Sequence, residues 1–222
     1  GREHRKLLSY QDASRQREAM LKKEDRVYSR LRRHLDRQAV GFPRSRSGAE
    51  LRILKRIFSP REAEAATCLT YRFESLEVLS GRASEMGMDR SELSRHLDAV
   101  LAKGGIEARE VEGERQYRNI PFVVGIYELQ LDRLSPEFIR DFRDYTSGLR
   151  FGLDFLGTEL PQMRTIPVSR SIQAQHYVGT YDEVTRLVEQ AEGPFVVLKC
   201  ICREKASLEG HPCRITTREE TC

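Results

Sequence analysis

Four of the chain's five cysteines fall within its last 23 residues, at Cys200, Cys202, Cys213 and Cys222, in the pattern C-x-C-x10-C-x8-C. Thiolates are soft ligands that select zinc, copper(I) or iron-sulfur clusters, so this stretch carries a ligand set. On an extended strand a C-x-C pair points both thiols to one face, which suits two irons of one cluster as well as two corners of a zinc tetrahedron. Spacing does not choose between them: the C-x2-C to C-x4-C knuckles of structural zinc sites and the C-x2-C-x2-C run of bacterial ferredoxins are both absent. The alternative is four unrelated buried cysteines, but the intervening REKASLEGHP is poor core sequence. His211 is either a substitute ligand or an exposed loop histidine. Arg203 and Lys205 either lower the thiolate pKa and offset cluster charge or serve as surface charges. Cys68, in an Ala-rich run, reads as a packing residue.

A second constellation is polar. Arg90, Ser91, Ser94 and Arg95 share the outer face of a helix that precedes a hairpin, the position from which a winged helix reads a DNA groove. Charge opposes that reading. From Ala49 to Ile120 there are 12 Lys and Arg against 13 Asp and Glu, a net of −1, where a duplex binder shows a basic footprint. The basic excess lies earlier: residues 1–48 hold 14 Lys and Arg against 6 Asp and Glu, +8 of a chain whose total is +4. No G-x-G-x-x-G, P-loop or H-E-x-x-H pattern occurs and the five histidines are scattered, so no catalytic residue is nominated.

The elements that position these residues are legible from punctuation. Residues 1–46 read as a basic helical arm and linker. Val27, Leu31 and Leu35 form a narrow apolar stripe that docks on the body of the protein or on a second copy, and GFPRSRSG ends the arm. Residues 47–120 read as a winged-helix domain. Ser47 with Glu50 and Ser59 with Glu62 form capping boxes for two short helices, a third starts near Ser75, and Asp89 with Glu92 opens a fourth that carries Leu93, Leu97 and Val100 inward. A hairpin about EGE follows. Residues 121–160 read as a helical connector, with PFVVGIYELQLDRL and a Ser135-capped segment as helices and YTSGLRFGLDFLGTELPQ as irregular chain. Residues 161–222 read as a small α/β unit: RTIPVSRSI extended, a helix boxed by Thr180 and Glu183, and FVVLKCIC as a buried strand delivering the C-x-C pair. The fold class is therefore α+β, mainly α: a winged-helix domain plus a small C-terminal α/β unit with a cysteine cluster.

The segments GFPRSRSGAELRILKRIFSPREAEAA, PFVVGIYELQLDRL, MRTIPVSRSI and the C-I-C-R, C, C ending together resemble a family of winged-helix ferredoxin-like iron-sulfur proteins of anaerobic bacteria and archaea. The resemblance implies a cytoplasmic electron-transfer protein in which Cys200, Cys202, Cys213 and Cys222 help bind a four-iron four-sulfur (4Fe-4S) cluster and a redox protein is the partner. Members continue into further cysteine-rich ferredoxin segments, so the sequence is expected to be truncated before that part. An odd cysteine count in a chain of this length argues against a disulfide scaffold, and the absence of a long apolar run argues against membrane insertion. Reduced thiols and a cytoplasmic location are the matching expectations. The competing functions are a redox- or metal-responsive DNA-binding regulator and a structural zinc protein.

Overall fold

The computed structural model describes residues 24–38, 40–157, 180–193, 195–214, 218 and 220. The run RTIPVSRSI and Cys222 lie outside the described residues. Helix α1 (24–36) leads into α2 (Ala49–Ile57), α3 (Pro60–Ala66), strand β1 (Glu74–Ser75), α4 (Leu76–Ser84), α5 (Arg90–Ala102) and the hairpin β2 (Glu107–Val111) and β3 (Glu114–Arg118). Then come a 3-10 helix (Glu128–Arg133), α6 (Pro136–Thr146), α7 (Leu149–Leu156), α8 (Tyr181–Gln190) and α9 (Ile201–Leu208).

Local chemistry sets most of these boundaries. Ser59 and Glu62 form the expected reciprocal box at α3, with Pro60 in the first turn where its missing N–H is not needed. Asp89 accepts the Glu92 N–H at 2.8 Å to cap α5. Beyond α5, Gly104 has φ +68°, and a Cβ there would stand 2.6 Å from Leu129 Cβ, so both conformation and close packing require glycine. Glu112 and Gly113 take positive φ to close the hairpin. The antiparallel sheet runs β1-β3-β2, with Tyr117 opposite Glu74 on one side and Ala108 on the other. Helices α3, α4 and α5 packed beside this small sheet give the winged-helix arrangement.

One core runs through these elements. Leu93, Leu97 and Val100 of α5 meet Ala63, Ala65 and Ala66 of α3, Leu79 of α4 and Ile53 and Ile57 of α2. The α1 stripe is buried in the same core: Leu31 and Leu35 are fully packed, Tyr28 Oη donates to the Phe58 carbonyl at 2.8 Å, and His34 Nε2 lies 2.6 Å from the Leu69 carbonyl. Helices α2 and α6 are tied by Asp141, a buried carboxylate that accepts from Arg52 Nε at 2.7 Å and Arg56 Nε at 3.0 Å.

Four local expectations are corrected. The Ser47–Glu50 box does not form: Gly48, at φ +67°, is the N-cap, and Ser45 Oγ instead accepts the Ala49 N–H and donates to Glu50. PFVVGIYELQLDRL is not one helix, because Val123 and Val124 are extended, Gly125 takes φ 164°, and only the 3-10 helix continues. Its apolar spacing serves packing around Phe122, Tyr127 and Ile126, not a helical stripe. The segment expected to be irregular contains α7. FVVLKCIC is no buried strand: Val196 is 76% exposed, Lys199 makes a single bridge to Glu220, and the chain turns helical at Ile201.

Candidate functional site

The last correction changes the geometry of the cysteine pair. Cys200 is the N-cap of α9 and Cys202 lies in its first turn. Two positions along a helix point about 200° apart, so the thiols do not share one face as they would on a strand. What they share is the amino end of a helix, where free N–H groups and the helix dipole favour negative charge, hence thiolate. Cys200 is half-buried and Cys202 exposed. Between them Ile201, 6% exposed, inserts into the main core and docks α9 against the 3-10 helix.

This docking sets the pair beside Tyr127. Burial pushes the Tyr127 phenol pKa up, and the charges of Cys202, Glu128, Glu209 and Cys200 push it further, so the hydroxyl stays protonated beside the thiols. The hydroxyl is buried and has no hydrogen-bond partner among the described residues. Its ring stacks on Phe142, with centroids 3.8 Å apart. Tyr127 was not legible as a site residue, because only the contact between two distant segments places it there.

Both basic neighbours of the pair are engaged by other groups. Lys205 Nζ donates to Glu209 Oε2 at 2.7 Å and holds that carboxyl below its usual range, while Arg203 donates to the Arg218 carbonyl at 2.7 Å. Gly210, at φ +77°, and the His211 N–H bonded to the Ala206 carbonyl turn the chain back after α9 towards half-buried Cys213. His211 itself is exposed. Among the described residues no three His, Cys, Asp or Glu side chains are grouped as a metal site. The donor chemistry of Cys200 and Cys202 fits an anionic metal-thiolate group at a helix amino end. Cys68, just past α3, is the packing residue expected, since burial raises its pKa to about 11.

Arg90, Ser91, Ser94 and Arg95 of α5 line one open groove of about 680 Å³ with Leu76 and Asp98. The nearby acids are engaged: Asp98 by Arg115 Nη1 at 3.1 Å and Tyr117 Oη at 2.9 Å, and Glu92 by Arg61 at 2.8 Å. On α1 and the turn after it, the exposed Arg26, Arg30, Arg33 and Arg37 form no ion pair among the described residues, and Arg30 Nη2 reaches Met86 Sδ at 3.3 Å.

These features define a mainly helical α+β protein with a winged-helix arrangement and two cysteines at the amino end of its last described helix. No family model, no curated protein and no solved structure matches the chain. Among the described residues no helix is long and apolar enough to cross a membrane.

Proposed function

We propose that the chain is an iron-sulfur (4Fe-4S) binding electron-transfer protein or subunit of the cytoplasm, with the winged helix as the module that docks a redox partner protein. The single observation that supports this reading is the placement of Cys200 and Cys202 at the amino end of α9. Cys213 and Cys222 complete the proposed ligand set. A bound cluster would supply a one-electron redox site; the chain's own contribution would be to hold thiolates at a positive helix end. The test is iron, zinc and acid-labile sulfide analysis with an absorption spectrum on anaerobically purified protein, beside the Cys200→Ser, Cys202→Ser double variant. Iron, sulfide and brown absorbance lost together in the variant are expected. Zinc in place of iron would replace this reading with a structural zinc site, and metal retained in the variant would exclude these two thiols.

A second reading, a redox- or metal-responsive DNA-binding regulator, rests on the α5 groove and on Arg26, Arg30, Arg33 and Arg37 of α1 and the turn after it. It requires duplex binding that weakens steeply with salt and falls on Arg95→Ala. Salt-insensitive or undetectable binding removes it.

A further inference from the structure

The run PRSRS, read above as a linker, forms one wall of a cavity of about 460 Å³ whose other wall is the start of α7. Arg44 and Arg46 enter from the linker and Arg150 from the first turn of α7. All three are exposed, and none makes an ion pair among the described residues. The one acid lining the cavity, Asp144, already faces Arg52 Nη2 at 3.4 Å. The lining therefore carries three arginines against one engaged acid, while the charges of Glu50, Asp36 and Asp154 also act on the lining residue Tyr145.

The start of α7 also favours an anion with several acceptor oxygens. Helix α7 begins at Gly148, which offers no side-chain cap, and its first residues Leu149, Arg150 and Phe151 line the same cavity, so the positive end of the helix lies at its wall. Tyr145, 1% exposed, also lines the cavity. Guanidinium forks match phosphate oxygens in pairs, whereas carboxylates present too few oxygens for three arginines. Leu149 and Phe151 add an apolar wall, and the volume lies within the range of small-molecule sites.

We propose that this cavity binds a phosphate group, carried by a small molecule whose apolar or planar part lies against Leu149 and Phe151. The site is separate from the thiols of α9, and its occupancy does not depend on the function proposed for them.

The test is calorimetric titration of the full chain with adenosine monophosphate, inorganic phosphate and adenosine, repeated on the Arg46→Ala, Arg150→Ala double variant. Binding of both phosphate-bearing probes and not of adenosine is expected, with affinity reduced at least tenfold in the double variant. Adenosine monophosphate binding tighter than phosphate assigns the site to an ester that uses the apolar wall; equal binding assigns it to the oxyanion alone. Arg33→Ala removes the same charge from α1 and is expected to change affinity less than about twofold. No heat from either phosphate probe at concentrations on the order of ten millimolar would overturn the site. So would undiminished binding in a double variant with unchanged far-UV circular dichroism, or an equal loss in Arg33→Ala.

Discussion

Lys103→Met tests how α3 and α5 are locked together. Lys103 Nζ lies 2.7 and 2.6 Å from the two carboxylate oxygens of Glu62, and Glu62 Oε2 also accepts the Ser59 N–H at 2.8 Å. The Glu62 side chain is only 7% exposed. Burial, the largest influence, pushes its pKa up, but the hydrogen bonds from Lys103 and Ser59 together outweigh burial and hold it below the ordinary glutamate value. Methionine keeps most of the stem and removes the ammonium. Breaking a buried pair costs about 3–5 kcal/mol, and because the lysine is 29% exposed, water recovers part of this, leaving about 2–3 kcal/mol. The sign with pH follows from the depressed pKa: the wild-type contribution is fully present above the unfolded glutamate value and is lost as pH falls from there through the lower folded value. In the variant, burial acts unopposed by the cation and the Glu62 pKa rises, so the penalty is largest near neutrality and shrinks in mild acid. Urea unfolding followed by circular dichroism at about pH 7 and pH 4 measures both. A penalty below about 0.5 kcal/mol at neutral pH, or an equal penalty at both, refutes the reasoning.

Three further outcomes are expected. Gly104→Ala places a Cβ 2.6 Å from Leu129 Cβ at a positive φ and lowers stability by about 3 kcal/mol or more, read as a shift in the urea midpoint. Tyr127→Phe removes a buried hydroxyl without a partner, so metal-free protein keeps its stability or gains about 1 kcal/mol; a loss of that size shows that the hydroxyl is bonded. In metal-free folded protein, Cys202, exposed at a helix amino end, reacts with a thiol reagent near neutral pH, while buried Cys68 with its raised pKa reacts only on unfolding; peptide mapping of the label distinguishes them.

The sequence announced those parts of the fold that local chemistry decides. Ser59 with Glu62 and Thr180 with Glu183 form the boxes their spacing spells, Asp89 caps α5, and Leu93, Leu97 and Val100 face inward. Errors arose where a distant partner outbid a local one. Ser47 has the right spacing to Glu50, yet Ser45 reaches both that carboxylate and the Ala49 N–H because the loop turns at Gly48. The apolar residues of PFVVGIYELQLDRL recur at helical intervals, yet they serve an aromatic cluster in which Phe122 meets Phe42, Phe142 and Tyr145, a demand invisible in one segment. Phe195 to Leu198 have strand composition without a neighbouring strand to pair with among the described residues. The cysteines were visible as residue types; their helical setting and the neighbouring phenol were not. Arg44, Arg46 and Arg150 were passed over because a linker and a glycine-punctuated run gave no reason to bring them together, although the alternation of arginine with serine in PRSRS was a signal.

Ile201 is the one buried residue of α9. Burying a single isoleucine is worth about 1.5–3 kcal/mol, so α9 is moored by an interaction small enough for the helix to detach transiently while the rest of the core stays intact. Any ligand that favours the thiols in their docked arrangement must then strengthen the mooring, and by reciprocity the mooring must strengthen the ligand. Ile201→Ala, which removes no thiol, should therefore speed amide exchange along α9 and, if the thiols hold a metal as proposed, weaken its retention together. Metal retention and helix docking become two readings of one equilibrium, and the seat of Ile201 among the core side chains acts as its remote control.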